Sequence, residues 1–394
     1  MLNKVPVLLL TGYLGSGKTT LLNRILTNNR GIRFAVIVND IGEVNIDAAL
    51  IQQGGVVSQQ NDSLVALQNG CICCTLQTDL INQLHDLVAQ KAYDYIVIEA
   101  SGICEPAPIA QTICSYPQMV PQFAQDGIPV LDCICSVVDA LRLRDEFDNG
   151  DALKYVAKEE DLAALVTEQI EFCNIVLLNK AAEVSAEELA HVKAILRALQ
   201  PTAEIIETNF CNVEFDKILN TGLFDFDKTA TSATWIQEVE DASHHHHHDH
   251  DDDDEDEDEH EHEHEHGEHD HLAEFGIETY VYFARKPFDL GMFDEFVAAH
   301  WPKNVLRCKG MCYFAEEYDM CYLFEQAGRQ FNIRKAGEWF ATMPKEELMQ
   351  LMAEDKQLQK DWDEVYGDRM QKLVFIGQHM DTEALKTALD KCLQ

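Results

Sequence analysis

Residues 5–19 read Val-Pro-Val-Leu-Leu-Leu-Thr-Gly-Tyr-Leu-Gly-Ser-Gly-Lys-Thr, an apolar run that leads directly into a glycine-rich turn. From Gly12 to Thr19 the stretch matches G-x-x-x-x-G-K-[ST], and residues 19–27 have the periodicity of a helix. In this strand–turn–helix context the glycines let backbone N–H groups curl toward phosphate oxygens. The amino terminus of the helix adds its positive end. The stretch therefore predicts an α/β domain with a phosphate-binding loop for a nucleotide.

The residues of this loop have distinct predicted roles. The Lys18 ammonium would neutralise the β- and γ-phosphates, and the Thr19 hydroxyl would ligate Mg²⁺. A second apolar run, residues 95–98, ends in Glu99-Ala-Ser-Gly102, and acidic residues at such strand ends contact Mg²⁺ or its waters. Lys18 and Glu99 are the predicted catalytic residues. The predicted nucleotide-binding residues of the loop are Gly12, Gly15, Ser16, Gly17, Lys18, Thr19 and Thr20.

A third apolar run ends in Asn179-Lys180, where many GTPases carry an N-K-x-D sequence that reads guanine. Asn179 and Lys180 are therefore predicted to contact the base, although a solvated strand end would look the same. This chain has Ala182 at the Asp position, and Glu183 follows as an alternative acceptor. Because a hydrogen bond to a charged group contributes about 1.5–3 kcal/mol, we expect guanine selectivity to fall by roughly 10- to 100-fold.

Three thiols lie within four residues in Gly70-Cys71-Ile72-Cys73-Cys74. In a loop, Cys71, Cys73 and Cys74 could converge on one ion, and thiolates suit Zn²⁺ and other soft or borderline metals. Such a site needs a fourth ligand, which could be a carboxylate, a histidine or water. A redox pair or small buried residues are the alternatives. Most of the other cysteines are interpreted as small buried hydrophobic residues.

Charge and cysteine content exclude several classes of partner for this chain. Of the 394 residues, 30 are Lys or Arg and 69 are Asp or Glu, which gives a net charge of −39. Such an acidic surface repels phosphate backbones, so we expect no nucleic-acid partner. No apolar run approaches the length of a membrane span, so we expect no membrane partner. Thirteen cysteines without an export signal argue against a disulfide framework and predict a cytoplasmic protein.

Much of the charge is concentrated in residues 244–271, which contain 12 His, 15 Asp or Glu, and one Gly. With no apolar residue, this tract is predicted to be a disordered linker. Neutral imidazoles bind Zn²⁺, Ni²⁺, Co²⁺ and Cu²⁺, so metal collection is the favoured role, with a plain spacer or a tag as alternatives. The predicted division of the chain is a P-loop domain over residues 1–225, the linker over 226–274 and a second domain over 275–394.

The order of apolar runs predicts the fold of both domains. Runs at residues 34–38, 95–98, 134–138 and 175–178 alternate with helical segments, which indicates a mostly parallel sheet covered by helices. After the tract, strands are predicted at residues 279–284, 305–315, 320–325 and 373–376. Helices are predicted there at residues 292–300, 345–357 and 382–392. The predicted class is α/β, a P-loop NTPase domain followed by a smaller α+β domain.

The P-loop, the Gly-Cys-Ile-Cys-Cys stretch and Glu99-x-Ser101-Gly102 together resemble the CobW-type metal-chaperone GTPases. These are relatives of the nickel-insertion GTPases of urease and hydrogenase maturation. The supporting matches are Asn39-Asp-Ile-Gly42-Glu43, Ser136-Val-Val-Asp139, Leu306-Arg307-Cys-Lys309-Gly310 and Leu373-Val-Phe-Ile-Gly377. Asp40 and, more importantly, Ala182 depart from the family pattern.

The resemblance implies GTP hydrolysis with Mg²⁺, metal binding by Cys71, Cys73 and Cys74, and delivery of zinc or another divalent metal to a metal-requiring client protein. It makes Glu43 an additional carboxylate near the metal or a switch segment. We also expect a homodimer that depends on nucleotide or metal. Two other functions compete with this one. A non-catalytic metal buffer would show negligible turnover, and a P-loop small-molecule kinase with a structural zinc would transfer the γ-phosphate to an acceptor.

Overall fold

The computed structural model describes residues 3–27, 31–38, 63–66, 77–147, 162–231, 275–327, 330–354, 358–359 and 362–394. The chain divides into two compact units, Met1–Ala233 and Thr234–Gln394. Within the described residues, no helix has the length and apolar character needed to cross a membrane.

The first unit is a seven-stranded parallel sheet in the order β3-β2-β4-β1-β5-β6-β7. Its strands are β1 (Lys4–Thr11), β2 (Phe34–Val38), β3 (Ser63–Ala66), β4 (Tyr95–Glu99), β5 (Ile128–Asp139), β6 (Ile175–Asn179) and β7 (Glu204–Glu207). Its helices are α1 (Lys18–Leu26), α2 (Gln77–Gln90), α3 (Pro106–Met119), α4 (Ala140–Phe147), α5 (Leu162–Glu171), α6 (Ala186–Leu199) and α7 (Phe226–Thr231).

The central strands of this sheet are buried on both faces, which explains why their sequences are continuous apolar runs rather than alternating ones. β1 lies between β4 and β5, and Leu10 pairs with Glu99 while Asp139 pairs with Asn179. The carboxyl ends of these strands therefore meet at one edge of the sheet. In open α/β sheets this edge is where ligands bind.

The second unit contains a five-stranded antiparallel sheet in the order β11-β10-β9-β12-β8. Its strands are β8 (Ile277–Ala284), β9 (Val305–Phe314), β10 (Glu317–Ala327), β11 (Gln330–Glu338) and β12 (Gln371–Gln378). Its helices are α8 (Leu290–Ala299), α9 (Lys345–Glu354) and α10 (Thr382–Asp390). An aromatic core surrounds Phe293, whose ring stacks on Phe288 at a centroid distance of 4.8 Å.

The α/β class and the smaller α+β second domain are confirmed, but three strands were not predicted, β3, β7 and β11. β11 was missed because it is an edge strand exposed on both faces, so its sequence carries no burial pattern. Cys133 and Cys135 lie inside β5 and are buried. Residues 226–231, which were assigned to the linker over 226–274, form α7, where Asn174 Nδ2 donates to the buried Thr229 Oγ1 at 3.0 Å.

Candidate nucleotide-binding site

The loop between β1 and α1 has a backbone that glycine alone adopts easily. The φ angles of Gly12, Gly15 and Gly17 are 129°, 82° and 119°. A Cβ at Gly12 would lie 2.3 Å from the carbonyl oxygen of Val137, and a Cβ at Gly17 would lie 2.6 Å from Asn179 Nδ2. Gly12 and Gly17 are thus required for space as well as for conformation, whereas no atom of the described residues lies within 4 Å of a Cβ at Gly15.

Lys18 is the first residue of α1, and its ammonium folds back over the loop. Its Nζ donates to the carbonyl oxygens of Gly12 at 2.7 Å and Tyr13 at 3.2 Å, and the residue is buried. Ser16 Oγ is also buried and makes no hydrogen bond within the described part of the chain. The loop therefore places one positive charge and one hydroxyl beside the N–H groups of the first turn, where phosphate oxygens bind.

Thr19 and Glu99 meet at the carboxyl edge of the sheet. Thr19 Oγ1 donates to Glu99 Oε1 at 3.1 Å, and Glu99, the last residue of β4, is 2% exposed. A hydroxyl and a carboxylate are oxygen donors of the kind that Mg²⁺ takes. The donor set at this position therefore fits that ion.

The segment after β4 packs tightly against the phosphate loop. Ala100 N donates to Leu10 O at 2.9 Å, and a Cβ at Gly102 would lie 2.7 Å from Leu14 N. From α5, Gln169 Nε2 donates to the carbonyl oxygen of Cys104 at 3.1 Å. The Glu99–Gly102 sequence thus holds a fixed position beside the loop.

Asn179 joins the phosphate loop to the segment that follows β7. Its Nδ2 donates to Ser16 O at 2.9 Å, and its Oδ1 accepts from Cys211 N at 3.0 Å and from Thr208 Oγ1 at 3.3 Å. The side chain is 3% exposed. Its amide therefore fixes the relative positions of the two segments.

Lys180 has a left-handed backbone with a φ of 59°, and its ammonium forms an ion pair with the buried Asp139 carboxylate at the end of β5. The backbone N–H of Asp139 donates to the Tyr13 hydroxyl at 3.2 Å. Tyr13 belongs to the phosphate loop, so the loop and Lys180 are joined through Asp139. Ala182 N donates to Asn209 Oδ1 at 2.8 Å, and Glu183 is exposed.

Two family descriptions together match most of the chain. Residues 6–207 match "CobW/HypB/UreG, nucleotide-binding domain", and residues 277–393 match "Cobalamin synthesis protein cobW C-terminal domain". The chain belongs to the CobW family. It is 34% identical to "Zinc-regulated GTPase metalloprotein activator 1" of Dictyostelium discoideum over 99% of its own length and 80% of the relative.

Two further matches to this CobW-family chain cover less of it or are less identical to it. "Zinc chaperone CobW" of Pseudomonas aeruginosa is 34% identical over 53% of this chain and 57% of that protein. Among solved structures, Zn(II)-bound YjiA GTPase from E. coli is 20% identical with a TM-score of 0.41, and the match covers 100% of both chains.

The structure brings the predicted phosphate and base residues of the CobW-family chain to one sheet edge and leaves the metal prediction untested. Cys71, Cys73, Cys74 and Glu43 lie outside the described residues, as do residues 39–42 and the 244–271 tract. In the described ranges, no group of three or more His, Cys, Asp or Glu side chains is placed to hold a metal ion.

Sequence reasoning missed the loop over residues 208–212, which follows β7. A short apolar pair in Glu-Ile-Ile-Glu followed by Thr-Asn is the signal that could have revealed it, because β1, β4, β5 and β6 also end in a polar residue. Cys211 in this loop is buried, and burial raises the pKa of its thiol to about 12. It therefore stays protonated and packs against the loop rather than reacting.

Proposed function

We propose that this CobW-family chain is a GTPase metallochaperone, which hydrolyses the phosphoanhydride bond of GTP and couples that reaction to the transfer of zinc to a client protein. The observation that supports it best is the contact of Thr19 with Glu99 beside the Lys18 ammonium. A charged amine, a hydroxyl and a carboxylate at the amino terminus of α1 are the parts that phosphoryl transfer needs.

In this proposal, each polar residue of the edge has one task. The Lys18 ammonium and the loop N–H groups bind the phosphate oxygens. The Ser16 and Thr20 hydroxyls belong to the same phosphate-binding site. Thr19 and Glu99 would hold Mg²⁺, which when bound neutralises charge on the β- and γ-phosphates. The short distance between Thr19 and Glu99 keeps the hydroxyl oriented toward that position.

On the base side, Asn179 fixes the edge of the site and Lys180 covers the base. Asp139 holds Lys180 in place through their ion pair. Because Ala182 stands at the position of the usual carboxylate, we propose a preference for GTP over ATP that is weaker than in GTPases with a complete N-K-x-D sequence.

Zinc is the proposed cargo. Cys71, Cys73 and Cys74 supply thiolates, and Glu43 is the proposed additional carboxylate. The three cysteines lie in sequence between the Asn39–Glu43 stretch and β4, which ends at Glu99. We propose that both stretches respond to the γ-phosphate, so that the nucleotide state can change the geometry of the thiolates. The relatives from Dictyostelium discoideum and Pseudomonas aeruginosa are both named for zinc, which supports this ion over nickel, cobalt or iron. The proposed setting is the cytoplasm, with a metal-requiring client.

The test measures zinc and nucleotide on the same purified protein. Zinc affinity is determined by competition with a chelating dye, with a GTP analogue or with GDP bound, for wild type and Cys73→Ser; GTP and ATP hydrolysis are measured in parallel. We expect zinc affinity to differ 5- to 150-fold between the two nucleotide states, which corresponds to a coupling free energy of about 1–3 kcal/mol. In Cys73→Ser, zinc affinity should be much lower in both states.

Three outcomes would contradict the proposal. Equal zinc affinities in both nucleotide states would indicate a structural zinc. Zinc binding with negligible hydrolysis would indicate a metal buffer. Phosphate transfer that requires a small-molecule acceptor would indicate a kinase. Sedimentation with each nucleotide and with zinc tests the expected homodimer.

Deleting residues 244–271 tests the proposed metal-collecting role of the tract. The deletion should lower the number of exchangeable divalent ions bound while leaving one tight site and the basal GTPase rate. In the full chain this weak binding should be lost below about pH 6, because imidazoles then protonate. Equal stoichiometry in both proteins would reduce the tract to a spacer.

A further inference from the structure

We infer that Asn209 and Phe210 form the edge of the site that recognises the purine base: the Phe210 ring stacks on the base, and the Asn209 amide takes the place of the missing carboxylate. The inference rests on the proposed nucleotide function. It assigns the ligand class as purine nucleotides, with weaker discrimination between guanine and adenine than a carboxylate at this position would give.

The loop that carries these residues is anchored on both sides of Phe210. Before it, Asn209 Oδ1 accepts a hydrogen bond from the backbone N–H of Ala182. Ala182 is the residue that stands at the Asp position of N-K-x-D. After it, Cys211 N donates to Asn179 Oδ1, and Cys211 Sγ donates to Gly17 O at 3.4 Å. Phe210 is therefore held between the two residues that connect this loop to the proposed base and phosphate positions.

Helix α1 adds a further anchor. Arg24 Nε donates to the carbonyl oxygen of Phe210 at 2.7 Å, and Arg24 Nη1 donates to Asn212 Oδ1 at 3.1 Å. Because α1 begins at Lys18, the helix that presents the phosphate-binding ammonium also fixes the backbone of Phe210. Phosphate and base positions are thus set by one rigid element.

Phe210 itself has a conformation that folding alone does not explain. The residue is 73% exposed, and its φ is 54°, followed by a φ of 53° at Cys211. A bulky residue in the left-handed region is rare, and such strain persists where surrounding bonds over-determine it, most often at ligand sites. The exposed ring gains little from burial, whereas a purine placed on it would cover its face.

The hydrogen-bonding chemistry of Asn209 determines which bases it can accept. Its Oδ1 faces a backbone donor, so its Nδ2 faces away and donates to no residue in the described ranges. An amide N–H pairs with an acceptor, either O6 of guanine or N1 of adenine. A carboxylate at this position would instead accept from guanine N1–H and N2–H and would exclude adenine.

The test compares three ligands by calorimetric titration in the presence of Mg²⁺: GDP, ADP and tripolyphosphate, which has no base. Phe210→Ala should lower the affinities for GDP and ADP by about tenfold, because base–aromatic stacking is lost. The affinity for tripolyphosphate should be unchanged. Phe210→Tyr should retain wild-type affinities. Phe340→Ala, which removes another exposed phenylalanine in the second unit, is the matched control and should change nothing.

An isosteric variant, Asn209→Asp, tests the amide separately. One carboxylate oxygen still accepts from Ala182 N, and the other converts the donor into an acceptor. The ratio of GDP to ADP affinity should rise by about tenfold. Circular dichroism melting of each variant reports whether the loop still folds.

The outcomes separate this inference from the proposed function. Unchanged GDP affinity in Phe210→Ala, or equal losses of GDP and tripolyphosphate affinity, would overturn base stacking while the phosphate site stands. An unchanged GDP-to-ADP ratio in Asn209→Asp would overturn the role of the amide. Failure of the wild-type protein to bind any of the three ligands would overturn the proposed function itself.

Discussion

The phosphate side and the base side of the site are built in different ways. The phosphate side is one continuous segment, residues 12–19, whose shape comes from its own glycines and whose charge comes from Lys18. The base side is assembled from separate segments, with Asn179 bonded to residues 16, 208 and 211. A site made by one segment is visible as a motif, whereas an assembled site depends on contacts that the sequence does not display.

Breaking the phosphate side has the largest expected effect. Lys18→Ala removes the ammonium that lies on the Gly12 and Tyr13 carbonyls and should lower GTP hydrolysis by at least about 100-fold, as loss of a preorganised charge on a transferring phosphoryl group does. Phosphate release from GTP is the measurement. Lys193→Ala, which removes an exposed lysine on α6, is the control. Unchanged turnover in Lys18→Ala would mean that the activity comes from another site or another protein.

Cutting the connection between the two sides has the next largest effect. Asn179→Ala leaves the buried Cys211 N–H without its acceptor and removes the donor to Ser16 O, so the free energy of unfolding should fall by about 2–3 kcal/mol. Urea denaturation measures it. Asn212→Ala removes only an exposed bond to Arg24 and should have a much smaller effect. Equal losses in the two variants would show that Asn179 does not join the segments.

Restoring the carboxylate sharpens the base side. Ala182→Asp places an acceptor at the exposed position that N-K-x-D uses and should raise the ratio of GTP to ATP affinity by about 10- to 100-fold. The Asn side chain of Ala182→Asn has the same shape as that of Asp but carries no charge, so this variant should raise the GTP-to-ATP affinity ratio less. If both variants keep the wild-type ratio in competition titrations, Asn179 and Lys180 do not read the base.

The smallest effect is expected at the opposite, amino edge of the same sheet, where Arg33 and Asp94 form an exposed ion pair at 2.7 Å. The hydrogen bond from Arg33 lowers the pKa of Asp94 from 3.8 to about 2. The pair therefore stabilises the fold above pH 4 and stops doing so as the pH falls through 2.

Asp94→Asn tests this pair without touching the ligand edge. The variant should be slightly less stable than wild type at pH 7, and the difference should narrow between pH 4 and pH 2, as followed by thermal melting. Nucleotide affinity should be unchanged. A difference that grows on acidification would contradict the assigned direction of the pKa shift.

What the sequence could predict follows the same division. The runs at residues 34–38 and 175–178 identified buried strands because a strand covered on both faces is apolar throughout. β7 and β11 were missed because both are edge strands with exposed or half-buried residues. The loop glycines and Lys18 were found from spacing alone. The hydrogen bond between Ala182 and Asn209 could not be predicted in this way, because those residues lie 27 positions apart and meet only when β6 and β7 pair.

Gly102 has a consequence for how this chain can change by mutation. A Cβ there would lie 2.7 Å from the backbone nitrogen of Leu14, and backbone cannot move aside as the tip of a side chain can. Every single-nucleotide change of a glycine codon that yields another amino acid adds a Cβ, so each first step from this position meets the same barrier. A substitution of Gly102 therefore requires a prior shift of the phosphate loop. The phosphate loop and the segment that contains Gly102 are expected to change together in evolution or not at all.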